Sequence, residues 1–110
     1  ILRHANLLIK HRYAIYQWDS WRLWETFAAG TVVLTIDFEK YAAVFPVMPV
    51  NFEHYIGVDL GNPKESLEKI NSLTTKDFAR IAKKGKEWAK QNYSPAATAK
   101  RFLEIAQLEK

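Results

Sequence analysis

The sequence predicts an α/β fold, with a small parallel sheet of about three strands flanked by helices and a helical C-terminal end. Three observations predict it. Short β-branched runs alternate with stretches of helical apolar spacing through the first half of the chain. Residues 20–37 read as one helix that ends at a glycine and runs straight into a strand. Beyond residue 61, helix starts follow one another with no further strand pattern.

Composition sets the outer limits. The chain has 110 residues, so one domain spanning all of it is the expectation. Apolar residues make up 48% and include four tryptophans, ample for a single core, and a charged fraction of 25% argues against disorder. No apolar run approaches the roughly 20 residues of a membrane helix. Cysteine is absent, which excludes disulfides and thiolate metal sites and fits a reducing, cytoplasmic setting. A net charge of +4 favours anionic partners such as phosphates without singling out nucleic acid. The chain opens on Ile1 with no secretory pattern, and it reads as a piece of a longer protein.

Taken in order, Leu2, Ala5, Leu8 and Ile9 fall at helical spacing, so residues 2–10 read as a helix. Residues 13–16 read as a strand, and 17–19 as the turn that follows. In residues 20–29, Ser20 suits an N-cap, and Leu23, Trp24, Phe27 and Ala28 make an apolar face. Gly30 stands where a left-handed C-cap is wanted. Residues 31–36 are short and β-branched, as expected of a strand covered on both faces, and Asp37 closes it. Strand, helix and strand make a right-handed parallel unit. Pro46 and Pro49 forbid a long helix in residues 38–52, leaving room for a short helical turn at 39–44. Residues 54–59 are a third strand candidate, interrupted by Gly57.

Asn62, Pro63 and Glu65 form a helix start with a cap, a first-turn proline and a capping-box acid, with Leu67 and Ile70 facing inward. Thr74 and Asp77 repeat the capping pattern. Phe78, Ile81, Ala82, Gly85, Trp88 and Ala89 make the stripe of the next helix. Ser94 and Pro95 start the last, with Ala99, Phe102, Leu103 and Ala106 on its buried face. The whole is consistent with half of a doubly wound domain.

At Glu25-Thr26-Phe27-Ala28-Ala29-Gly30-Thr31-Val32-Val33 the chain resembles the E-x-x-A-x-G-x-P-V signature of the donor-binding half of glycosyltransferases of the two-Rossmann-domain (GT-B) type. Ser20, Arg22 and Glu25 resemble the S-x-R-x-x-E opening of group-1-like and spore-protein-like members. His54-Tyr55-Ile56-Gly57-Val58-Asp59 is similar to the H-Y-x-x-V-D stretch of lipopolysaccharide-modifying and exostosin-like transferases. Ile81-Ala82-Lys83-Lys84-Gly85-Lys86 and Asn92-Tyr93-Ser94-Pro95 are similar to the I-A-x-x-G-[RK] and x-Y-[ST] ending of such domains. The resemblance spans most of residues 12–105.

It implies a partial Rossmann-like domain that binds a nucleoside diphosphate sugar as donor substrate. No further cofactor or metal is implied, and an N-terminal acceptor domain would complete the enzyme. Glu25 would accept hydrogen bonds from the ribose hydroxyls. Ser20 and the backbone amides at the helix start would meet the diphosphate. Arg22 would add a fixed positive charge for phosphate oxygens. Asp37 and Tyr41, at the end of the next strand, would touch the sugar or base. The chain departs from the pattern at Gln17, where many retaining members carry a second glutamate, and at Val32, which replaces a proline.

Other readings stand beside these. Glu25 and Arg22 have the spacing of a surface ion pair. Asp37 has the place of a turn cap. His54 is either a catalytic base or a strand-end residue with a satisfied bond. His4 and His11 lie near no ligand cluster, so no metal site is expected. Lys83, Lys84, Lys86 and Lys90 lie off the apolar stripe of their helix and read as a solvated face. The alternative function is a non-catalytic α/β module that binds a protein or nucleic-acid partner through this basic helix. Against nucleic acid, no aromatic-basic interleaving and no known binding motif is present.

Overall fold

The computed structural model describes residues 20–108. The expected helix at 2–10, strand at 13–16 and turn at 17–19, with Gln17, lie outside them. The described chain is a small α/β unit of four helices and one parallel two-stranded sheet. In order these are α1 (Trp21–Ala29), β1 (Leu34–Ile36), β2 (Ile56–Val58), α2 (Pro63–Asn71), α3 (Thr75–Tyr93) and α4 (Pro95–Leu108). Leu34 pairs with Ile56, Thr35 with Gly57 and Ile36 with Val58.

Both observed strands are shorter than the expected ones, for local reasons. Gly30 takes the left-handed conformation at φ 74°, and its N–H bonds the Phe27 carbonyl. The Thr31 N–H and hydroxyl both bond the Thr26 carbonyl, at 3.4 and 3.1 Å. Thr31 therefore completes the cap of α1 and cannot join the ladder. At the other strand, the His54 amide bonds back to the Val50 carbonyl at 2.9 Å and stays in a turn. The expectation that β1 is covered on both faces fails, because Leu34 is 62% exposed.

The core is largely aromatic. Phe27, Phe38, Tyr55, Ile56 and Ile81 are fully buried. Trp24 lies 6.1 Å from Trp88 and 4.6 Å from Tyr93 between ring centroids, and Phe27 lies 5.1 Å from Trp88. These rings join α1 to α3, the helix against which it packs. Gly85 makes the approach possible. A Cβ there would collide with the His54 carbonyl oxygen and stand 3.2 Å from the Phe27 ring. Phe38 packs on Tyr55 at 4.8 Å, and the Tyr55 hydroxyl accepts the Phe38 N–H at 3.0 Å. Burial pushes that hydroxyl's pKa up to about 12.

Several expected faces are corrected. Leu23 and Phe27 bury as read, but Ala28 is exposed, since α1 is covered on one side only. In α2 the inward residue is Ser66, while Leu67 is 57% exposed. The helix packs on β2, and Ser66 Oγ accepts the Asp59 N–H at 3.0 Å, which turns the helix by one position. In α4, Ala99, Phe102, Leu103 and Ala106 are all exposed. This helix packs on α3 and is anchored by a cation instead. The Arg101 guanidinium lies 5.0 Å over the Tyr93 ring and donates to the Asn92 carbonyl.

The caps of α2 and α3 fall at the residues the sequence implies. Thr74 and Asp77 form a complete capping box on α3. Asn62 accepts the Glu65 N–H, although the Glu65 carboxylate reaches the Asn62 side-chain amide at 2.8 Å instead of its backbone. The turn expected at 39–44 is a single turn closed by Ala42 at φ 55°. No helix among the described residues is long and apolar enough to cross a membrane.

Candidate functional site

Two parallel strands leave their carboxyl ends side by side, where ligands bind in open α/β sheets. Here those ends are Asp37 after β1 and Asp59 after β2. A cavity of about 210 Å³ opens between them. Asn51, Phe52 and Gly57 line it together with Lys40 and with Glu65, Ser66 and Lys69 of α2. Its walls thus carry three carboxylates and two ammonium groups.

Each carboxylate is already oriented. Asp37 Oδ1 accepts the Lys40 N–H at 3.1 Å, and its Oδ2 accepts the Asn51 side-chain amide at 3.3 Å. Asp59 Oδ1 accepts the Gly61 N–H at 2.9 Å and the Tyr41 hydroxyl at 3.2 Å. Asp59 Oδ2 pairs with the Lys40 ammonium. That hydrogen bond, joined by those of Gly61 and Tyr41 and opposed by burial, holds the Asp59 carboxyl below its ordinary pKa range. Glu65 and Lys69 pair across one helical turn at 3.2 Å, on the exposed rim.

Asn51 ties the site to the sheet. Its Oδ1 accepts the Gly57 N–H at 2.7 Å, and its Nδ2 donates to Asp37. Gly57 is required at this point, because a Cβ would stand 2.8 Å from the Asp37 backbone and 3.0 Å from Asn51 Nδ2. Phe52 beside it has a left-handed backbone at φ 61°, a strained state for a bulky residue.

The expected site residues separate into two groups. Asp37 lines the cavity, and Tyr41 reaches it by holding Asp59. Asp37 also caps the turn that follows its strand, as its other reading has it. Ser20, Arg22 and Glu25 are exposed on α1 and do not line the cavity. Ser20 occupies the N-cap position with extended backbone, but its hydroxyl makes no capping bond to the helix. Arg22 and Glu25 form no ion pair with each other. Sequence reasoning missed Lys40, Asn51, Phe52, Ser66 and Lys69. Asp59 carries the one available signal, a strand-final aspartate matching Asp37.

His54 has a hydrogen-bond partner at one ring nitrogen. Its Nδ1 accepts the Val50 N–H at 2.9 Å, and the imidazole stacks on Trp88 at 5.7 Å. The basic face of α3 is partly engaged as well, Lys84 with Glu53 at 3.2 Å and Lys83 with Glu87 at 4.0 Å. Among the described residues, no group of three or more histidine, cysteine or acidic side chains could hold a metal ion. The side chains that line the crevice offer carboxylate and amide acceptors for hydroxyls and ammonium donors for anions. The chain matches no protein-family model, no curated protein and no solved structure.

Proposed function

We propose that the chain is a donor-binding domain of a cytoplasmic glycosyltransferase, taking a nucleoside diphosphate sugar with one end in the crevice between Asp37 and Asp59. The observation that carries this reading is the polar crevice at the carboxyl ends of the two parallel strands. Carboxylates there suit the vicinal hydroxyls of a sugar or ribose, and the two lysines suit phosphate oxygens. The resemblance of residues 20–33 to the donor half of such enzymes supports it independently. So does the start of α1, whose first-turn amides have no side-chain cap, while α2 and α3 are capped by Asn62 and Thr74. Transfer itself would need an acceptor site as well as this donor crevice.

Calorimetric titration of the chain with UDP, GDP, ADP and inorganic phosphate tests the reading. One nucleotide should bind saturably. Glu25→Ala and Asp37→Asn should each weaken it at least about tenfold, roughly 1.4 kcal/mol. A folded chain that binds none of them would overturn the proposal.

A further inference from the structure

The segment from Val50 to Tyr55 is folded back on itself by four hydrogen bonds. The Glu53 and His54 amides both bond the Val50 carbonyl, at 3.2 and 2.9 Å, and the Phe52 amide bonds the Tyr55 carbonyl at 2.7 Å. His54 closes the turn a second time, since its Nδ1 accepts the Val50 N–H at 2.9 Å. Inside this loop sit Asn51, which holds Gly57 and Asp37, and Phe52, whose left-handed backbone is strained. Both line the crevice.

The histidine bond works in one protonation state only. With Nδ1 unprotonated it accepts the Val50 amide. With Nδ1 protonated, two N–H donors face each other and the bond is lost. The groups that face His54 are Glu53 on its own turn, and Lys84 and Trp88 on α3. Glu53 and Lys84 are paired with each other.

We propose that this turn is a proton-operated clasp on the crevice: a proton on His54 frees the Val50 amide, and through Asn51 it loosens the wall made by Gly57 and Asp37. Burial lowers the His54 pKa, Glu53 opposes this and Lys84 adds to it. The folded protein therefore takes up the proton only below the ordinary histidine value of 6.5. The clasp is closed at neutral pH and opens on acidification. Its effect on a bound nucleotide rests on the function proposed above, but the clasp itself does not.

The test uses the protein without ligand. In an NMR titration from about pH 8 to about pH 5, the Gly57 amide and the Asn51 side-chain amide should move with the His54 midpoint, below the ordinary value. Hydrogen exchange at Gly57, corrected for its intrinsic pH dependence, should rise roughly tenfold over the same interval. His54→Asn offers an oxygen near the Nδ1 position and does not titrate, so it should abolish the co-titration while leaving the turn closed. Gly57 and Asn51 signals that stay still while wild-type His54 titrates would overturn the proposal. So would signals that move unchanged in His54→Asn. Should that variant not fold, the wild-type co-titration and exchange data decide alone.

Discussion

The aromatic layer between α1 and α3 and the crevice at the strand ends hold together by different means. In the layer, Trp24, Phe27, Trp88 and Tyr93 share many ring contacts, so no single contact is indispensable. Even the buried Trp88 indole N–H finds no acceptor among the described residues. In the crevice, Asn51 is joined to Asp37 and Gly57, and Asp59 to Gly61, Tyr41 and Lys40, by directional bonds with a few partners each. The comparison teaches that this small domain places its redundant apolar contacts away from the cavity. The cavity walls depend on a few polar bonds that can be broken one at a time.

Gly85 is where the two regions meet, touching Phe27 on one side and the His54 carbonyl on the other. Neither neighbour yields easily, because one is a packed ring and the other is backbone. Gly85→Ala should therefore have the largest effect, a loss of about 3 kcal/mol in urea unfolding. A loss below about 1 kcal/mol would mean that α3 does not seat on the turn as described. Within the crevice, Asn51→Ala removes its three side-chain bonds to Asp37 and Gly57 and leaves the buried Gly57 amide unpaired. We expect a loss of about 2 kcal/mol. Trp24→Phe trims a larger, half-buried ring from the aromatic layer and should cost less, about 1 kcal/mol. The reverse order would break the comparison.

What was legible in the sequence follows the range of the interaction. Gly30, Asn62, Thr74 and Asp77 mark their helix ends through bonds to residues a few positions away, and all were readable. The parallel pairing of β1 and β2, and hence Asp37 at the crevice, follows from the order of the elements. Which face of a helix is buried depends on what covers it, and spacing alone cannot supply that. Leu67 and Phe102 are apolar at helical spacing, yet α2 turns Ser66 to β2 and α4 is anchored by Arg101. Asn51 and Lys40 come from an irregular stretch with no period to read. The resemblance pointed to Ser20, Arg22 and Glu25, which stand on α1 outside the crevice walls.

Two turns of the same kind, one in each region, sharpen the contrast at the smallest scale. At the end of α1 the Gly30 amide bonds Phe27 and the Thr31 amide bonds Thr26. After β1 the Ala42 amide bonds Glu39 and the Ala43 amide bonds Phe38. Both are Schellman closures around one left-handed residue. The aromatic side uses glycine for it, at φ 74°, and the crevice side uses alanine, at φ 55°. The two non-glycine residues with positive φ among those described, Ala42 and Phe52, both lie between β1 and β2. Strain is thus gathered in the segment that shapes the cavity, where pre-organised sites tend to store it. Gly30→Ala adds a Cβ in the left-handed region, 3.3 Å from the Lys86 side chain, and should cost about 1–2 kcal/mol. Ala42→Gly removes the same penalty but adds chain entropy to the unfolded state, so the net gain should be about 0.5–1 kcal/mol. Opposite signs in thermal unfolding are the expected result. A loss of stability in Ala42→Gly would show that the alanine methyl contributes more than its backbone conformation costs, and the crevice segment would then be no more strained than the aromatic layer.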